Sequence, residues 1–328
     1  VLSTADSLNK DILLLIAYCN FRLGASRGAI RPYEGVLQMD STNITALNHL
    51  GQLYTRDGDF KNSMQCFLKL ISLDSTNSFY CKQAGSIALR LNNATAGRFW
   101  LKRALHFNPA DVEASLTLGN LLMEMGQYQS VDSIIRQAQA VDPEFKPIQL
   151  LSAKSSFEQE DYISTIATIN KMLESSDTTG LLARMLGVSF FHREEYNQVV
   201  ACMQFLIRNR YDFEWVYYYM GAAFRGLGDA SGSIGWFKLA VQKSISENTK
   251  TYYAQLGQSY EEVGDYQAAI RAYRAAYNYS QDGILLYHLA RNYDVYYKDK
   301  TTALEYYKKY LESDDTIRLA REYAKKRM

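Results

Sequence analysis

The side chains able to catalyse a reaction or hold a metal are few in this chain and poorly spaced for either task. Histidines stand at His49, His106, His192 and His288, and no HExxH pair or other short ligand spacing surrounds them. The cysteines, Cys19, Cys66, Cys81 and Cys202, form no CxxC motif of the kind that binds zinc or cycles a disulfide. Acidic pairs such as Glu194–Glu195 and Glu261–Glu262 adjoin in sequence, so their members do not face one another across a cleft. The run Gly226-Leu227-Gly228-Asp229 is rich in glycine, but a phosphate-cradling loop needs a strand before it, and no strand pattern precedes this one. No nucleophile–base set, metal site or cofactor site can be assembled from these residues, so a freestanding enzyme is not expected.

Binding chemistry is better represented. Trp215, Tyr218 and Arg225, with Arg184, Phe191 and His192 earlier in the chain, combine aromatic rings with guanidinium groups. Aromatic residues and arginine are the types most enriched in interface hot spots. Arginine can also meet a partner carboxylate in a bidentate pair. Of the 26 tyrosines, eighteen lie between Tyr211 and Tyr310. The net charge is +1, which gives no general attraction to nucleic acid or to an anionic membrane. No apolar run nears the roughly 18 to 20 residues of a membrane span; Ile12 to Cys19 stops well short. Val1 to Lys10 lacks the basic-then-apolar order of a signal peptide.

The elements that must carry these residues are set by a repeat. Ala17, Gly51, Gly85, Gly119, Ala153, Gly187 and Gly221 are each 34 residues apart, Gly257 follows after 36 and Ala290 after 33. Other columns keep this phase. Three residues past the small residue stand Tyr54, Phe190, Phe224, Tyr260 and Tyr293, among others, and nineteen past it stand Val36, Leu70, Ala104, Ala138, Met172, Leu206, Ala240 and Ala276. Within a copy the apolar spacing is helical. Leu116, Gly119, Leu122 and Met123 share one face of a first helix, and Val131, Ile134, Ile135 and Ala138 share one face of a second. Met125-Gly126-Gln127-Tyr128 is the turn between them, where glycine permits the left-handed conformation that ends a helix. Only four prolines interrupt the chain. Each hairpin leaves an apolar face that only a neighbouring hairpin can cover, so the copies must stack.

A period of this length with these columns resembles the tetratricopeptide repeat. Its most typical copy is the eighth, with Gly257, Tyr260, Gly264, Asp265, Tyr266, Ala269, Tyr273 and Ala276; Pro109 and Pro143 stand where the family often places a proline. The resemblance covers nearly the whole chain and implies an all-α, right-handed superhelical solenoid of about one turn. Nine copies span about 10–43, 44–77, 78–111, 112–145, 146–179, 180–213, 214–249, 250–282 and 283–314, and a capping helix spans 315–328. Residues 1–9 repeat the spacing of Asp40 and Asn43, as Asp6 and Asn9, and so match the end of a preceding repeat. The extra residues of the later copies are expected near Ser244 to Asn248 and near Tyr297 to Thr301.

The resemblance also implies a role: such proteins are scaffolds that hold a partner polypeptide along their first helices. The first-helix positions facing the partner in the sixth and seventh copies are Arg184, Val188, Phe191, His192, Trp215, Tyr218, Ala222 and Arg225. In one well-known subgroup a lysine and an asparagine clamp the C-terminal carboxylate of a chaperone. The matching positions here hold Leu14 and Tyr18, Asn48 and Gln52, Lys82 and Ser86, Leu116 and Asn120, so that pair is missing from the first four copies. The expected function is therefore a non-catalytic, monomeric scaffold for a protein or peptide. Alternatives are a regulatory or targeting arm of a larger enzyme or assembly, or a solenoid that binds a small ligand or glycan. His49 and His288 occupy equivalent first-helix positions seven copies apart, which precludes a shared site and points to structural roles. The cysteines read as buried free thiols, with Cys66 and Cys81, on adjacent helices, the one pair able to approach. Met39–Asn43 and Leu73–Asn77 are bacterial in style, and the Ser-, Thr- and Asn-rich loops favour the cell envelope over the cytoplasm that unpaired cysteines would suit.

Overall fold

The computed structural model describes residues 4–174, 178–244, 248–315 and 317–328, and these form nineteen α-helices with no strand among them. In order they are α1 (Thr4–Arg22), α2 (Ser26–Met39), α3 (Ile44–Arg56), α4 (Phe60–Leu73), α5 (Ser78–Arg90), α6 (Ala94–Phe107), α7 (Val112–Glu124), α8 (Tyr128–Val141), α9 (Lys146–Glu158) and α10 (Tyr162–Leu173). There follow α11 (Gly180–His192), α12 (Tyr196–Arg208), α13 (Glu214–Gly226), α14 (Ala230–Lys243), α15 (Thr249–Glu262), α16 (Tyr266–Ser280), α17 (Gly283–Tyr296), α18 (Thr301–Glu312) and α19 (Arg318–Arg327). The architecture is an all-α repeat solenoid of helical hairpins. Two compact units divide it within the fifth copy, one ending at Gln159 with α1 to α9, the other beginning at Glu160 with α10 to α19.

One turn geometry recurs between paired helices. Seven residues past the small residue, Gly24, Gly58, Gly126, Gly228 and Gly264 all have positive φ, and so do Asn92, Glu160 and Glu194 in the same column. Gly226-Leu227-Gly228-Asp229 is thus an interhelical turn, with Gly228 at φ +85° and the Asp229 side chain accepting from Gly232 N at 2.7 Å to cap α14. The ninth copy departs from this pattern. Tyr297 takes an extended conformation, and residues 297–300 link α17 to α18 where the extra residue was expected. The other expansion falls on 244–248, of which residues 245–247 lie outside the described residues.

The small column works through a partner column sixteen residues on. A Cβ on Gly51 would sit 2.8 Å from Phe67, on Gly221 2.9 Å from Phe237, and on Gly257 2.9 Å from Tyr273. Phe67, Phe237 and Tyr273 are almost wholly buried, each contributing on the order of 1.5–3 kcal/mol of burial. Gly119 differs: its close neighbour is the flexible end of Leu151 on α9, the next copy's first helix, rather than a residue of its own hairpin.

The ends differ somewhat from expectation. The helix that opens the first copy runs without a break from Thr4, through the expected start at residue 10. At the other end α19 begins at Arg318, later than residue 315. It buries Ala320 and Ala324 against Leu286, Ala303, Tyr307 and Tyr310, and so covers the face of the last hairpin. Arg327 does more than complement the helix dipole. It donates to both oxygens of Asp294, at 2.6 and 2.7 Å, and holds that carboxyl below its ordinary range. Of the cysteines, Cys66 and Cys81 are buried and free, and burial raises both thiols, Cys66 to about 11. Cys19, in contrast to the expectation, is exposed: α1 leaves that face open.

Candidate functional site

The expected partner-binding residues all lie in the second unit, on α11 and α13, and they divide into three groups. Arg184 and Trp215 form the first. The Arg184 guanidinium lies over the indole, 5.3 Å from its centroid, and Phe213 stacks on the indole at 6.2 Å with planes 11° apart. Arg184 and Phe213 are exposed and Trp215 is half-buried. A cation over an aromatic face contributes about 0.5–1 kcal/mol at such exposed sites. The second group is Phe191 and His192. Phe191 meets Tyr219 edge-on at 5.2 Å, whereas the exposed His192 turns to α10 and stacks on Tyr162 at 4.4 Å, planes 5° apart. Tyr218 and Arg225 make the third. Tyr218 packs against Tyr252 at 5.4 Å and Phe237 at 6.0 Å, and Arg225 lies 5.8 Å above Phe237.

Tyr219 connects the groups and was not among the expected residues. It touches Phe191 and Tyr218. Burial raises its hydroxyl pKa; Tyr218 and Tyr162 push the same way and Arg184 opposes them. Its position, two before the small residue, is shared by His49 and His288. In those two copies the histidine lies on a tyrosine of the preceding copy's second helix. His49 stacks on Tyr33 at 5.5 Å and His288 on Tyr273 at 4.9 Å. Burial lowers both histidines' pKa values from 6.5. Val188 and Ala222, expected to face a partner, are buried instead.

On the first helices of the next two copies lies a polar pocket of about 410 Å³ between α15 and α17, lined by Gln258, Glu261, Glu262, His288, Arg291 and Asn292, among others. Glu261 is its hub. Its carboxylate accepts from Arg291 Nη2 at 3.1 Å, from the Tyr273 hydroxyl at 3.1 Å and from Asn292 Nδ2 at 3.2 Å. Arg225 reaches toward this pocket and stops 3.9 Å from Glu262. The acidic neighbours Glu261 and Glu262, set aside in the sequence because they do not oppose one another, both line it. The available signal was the repeat register, which places them beside the next copy's His288 and Asn292.

A family model described as tetratricopeptide repeat matches residues 44–77 and 251–282. Two curated proteins are similar over part of the chain. The BBSome complex member BBS4 of Bos taurus is 23% identical over 196 residues, 59% of this chain and 37% of that protein. Lipopolysaccharide assembly protein B of Haemophilus influenzae is 24% identical over 180 residues, 51% of this chain and 45% of that protein. The chain thus matches less than half the length of these relatives. Among solved structures, a tetratricopeptide repeat protein from Parabacteroides merdae superposes with a TM-score of 0.53 at 14% identity, covering 77% of this chain and 99% of that one. Pseudomonas aeruginosa PilF superposes with a TM-score of 0.51 at 12% identity, covering 63% of this chain and 94% of that one. Both likenesses concern the fold.

Proposed function

We propose that this chain, which is a tetratricopeptide-repeat protein, is a non-catalytic scaffold that holds a segment of a partner polypeptide along α11 and α13. The observation that carries this reading is the Arg184–Trp215 pair: a cation–π contact at the solvent side of two adjacent first helices, flanked by exposed Leu181 and Phe213. Aromatic and guanidinium groups gathered on one ridge offer apolar area and directed hydrogen bonds together, as interface anchors do. Trp215 packs against the buried cluster that includes Ala183, Val199 and Met203, which holds it in place before a partner arrives and lowers the entropic cost of binding. The tetratricopeptide family is generally one of non-catalytic scaffolds, and the two curated relatives bear the names of a complex member and an assembly protein. No helix among the described residues is long and apolar enough to cross a membrane.

The test is affinity for a partner recovered from the native cell by pull-down and then purified. Trp215→Ala combined with Arg225→Ala, with helicity and melting temperature retained, is expected to weaken binding by about 2 kcal/mol or more, roughly thirtyfold. Unchanged affinity in that folded variant places the partner elsewhere on the chain.

A further inference from the structure

We infer that the pocket between α15 and α17 receives the cationic side chain, arginine or lysine, of a partner segment. The inference rests on the scaffold reading above and specifies the chemistry two copies farther along the row of first helices.

The argument starts at Asn292, whose side chain is 99% buried and lines the pocket. Its two N–H groups are both committed, one to Glu261 Oε2 at 3.2 Å and one to the His288 carbonyl at 2.8 Å. Both partners accept only, so the amide can be oriented in one way, with the nitrogen toward them and Oδ1 away. That Oδ1 is buried and has no hydrogen-bond partner among the described residues. A buried acceptor left in this state costs about 1–3 kcal/mol, a cost that a donor from outside would remove. Beside it, His288 Nδ1 is also buried without a partner, 3.9 Å from Glu261 Oε2. Burial lowers the imidazole's pKa from 6.5, and the neutral ring presents either a lone pair or an N–H at Nδ1 according to its tautomer.

Charge points the same way. The lining holds two carboxylates, Glu261 and Glu262, against one guanidinium, Arg291. Arg291 is already engaged by Glu261. Glu262 is half-exposed at the mouth, where Gln258 Nε2 donates to it at 3.3 Å and Arg225 pairs with it at 3.9 Å, and its two oxygens keep room for a further donor. An incoming anion would meet two carboxylates and the unmet Asn292 Oδ1. A guanidinium or ammonium group would supply several N–H donors to Asn292 Oδ1 and Glu262.

The experiment uses the full chain and a positional-scanning library of acetylated, amidated hexapeptides, followed by titration of the best binder. Selected peptides are expected to share an arginine or lysine. Replacing it with citrulline, which keeps the shape and removes the charge, should weaken binding at least tenfold. That penalty should largely vanish on Glu262→Gln, a half-exposed change that leaves the core intact, and on Asn292→Leu. Selection of acidic or amide residues, or an equal citrulline penalty on wild type and Glu262→Gln, overturns the inference. Peptides that need Trp215 and show no dependence on a cation leave the scaffold reading standing and remove this one. Failure of any peptide to bind removes both.

Discussion

The first unit holds a counterpart of the α15–α17 pocket, and the pair separates what the repeat dictates from what it leaves free. A pocket of about 540 Å³ lies between α5 and α7, lined by Leu89, Arg90, Thr117, Asn120, Leu121 and Glu124, among others. Counted from the small residue of each copy, Leu89 stands where Glu261 does, Arg90 where Glu262 does, Thr117 where His288 does and Leu121 where Asn292 does. In both places the hollow lies between the first helices of two successive copies. Only the side chains differ. Unit one has an apolar wall and balanced charge, with one arginine and one glutamate; unit two has a partly buried carboxylate hub and an unmet acceptor, Asn292 Oδ1. The repeat thus sets where the hollow lies, and a few first-helix side chains set its chemistry.

The largest expected effect tests the shared hollow. Gly257→Leu drives a side chain into the buried ring of Tyr273, which also donates to Glu261, and should cost about 2–3 kcal/mol. Gly119→Leu meets only the flexible end of Leu151 and should cost about 1–2 kcal/mol, less what leucine's better helix propensity returns. Thermal melts of both variants check the order, and an unchanged or raised melting temperature for Gly119→Leu contradicts close packing at that column.

Exchanging the chemistry between the pockets comes next. Leu121→Asn plants a polar amide among apolar neighbours in unit one and should destabilise by about 2 kcal/mol. Asn292→Leu removes an unmet acceptor along with two hydrogen bonds, while Glu261 keeps Arg291 and Tyr273, so its cost should stay within about 1 kcal/mol. Equal losses in denaturant melts would mean that the two hollows are polar to the same degree.

A pH series follows. His49 and His288 have pKa values lowered from 6.5 by burial, so the unfolded chain binds protons that the folded chain refuses. Stability contributed this way is complete above about pH 6.5 and declines as pH falls below it, with a slope of at most about 1.4 kcal/mol per pH unit for each group. His288→Phe keeps the ring on Tyr273 and should flatten that decline; a slope identical to wild type contradicts a neutral, buried His288. The smallest effect is a gain. Glu194 sits at φ +61° in a column that five copies fill with glycine, so Glu194→Gly should stabilise by about 0.5–1 kcal/mol, read as a small rise in melting temperature.

Much of the fold was readable in the sequence because the small column, the partner column and the turn glycines each recur in phase. The turns at Glu160 and Glu194 show where that reading weakens: a residue forced into left-handed backbone by its neighbours looks like any surface glutamate. The candidate site was legible as a set of types, since Arg184 and Trp215 do meet. It was not legible as a geometry. His192 turned aside to Tyr162, and Tyr219 entered, because rings choose neighbours across copies through rotamers that a helical wheel does not specify. Asp294 with Arg327 is a similar case, two residues on different helices whose pairing no local spacing announces.

The central claim is that a polypeptide covers the Arg184–Trp215 ridge. The chain has three tryptophans, so Trp100→Phe with Trp236→Phe leaves Trp215 as the sole indole reporter. Titrating the purified partner into this variant should shift Trp215 emission to shorter wavelength and shield it from iodide quenching, in step with binding measured by calorimetry. Stoichiometric binding with Trp215 emission and quenching unchanged would show that the partner docks on another surface.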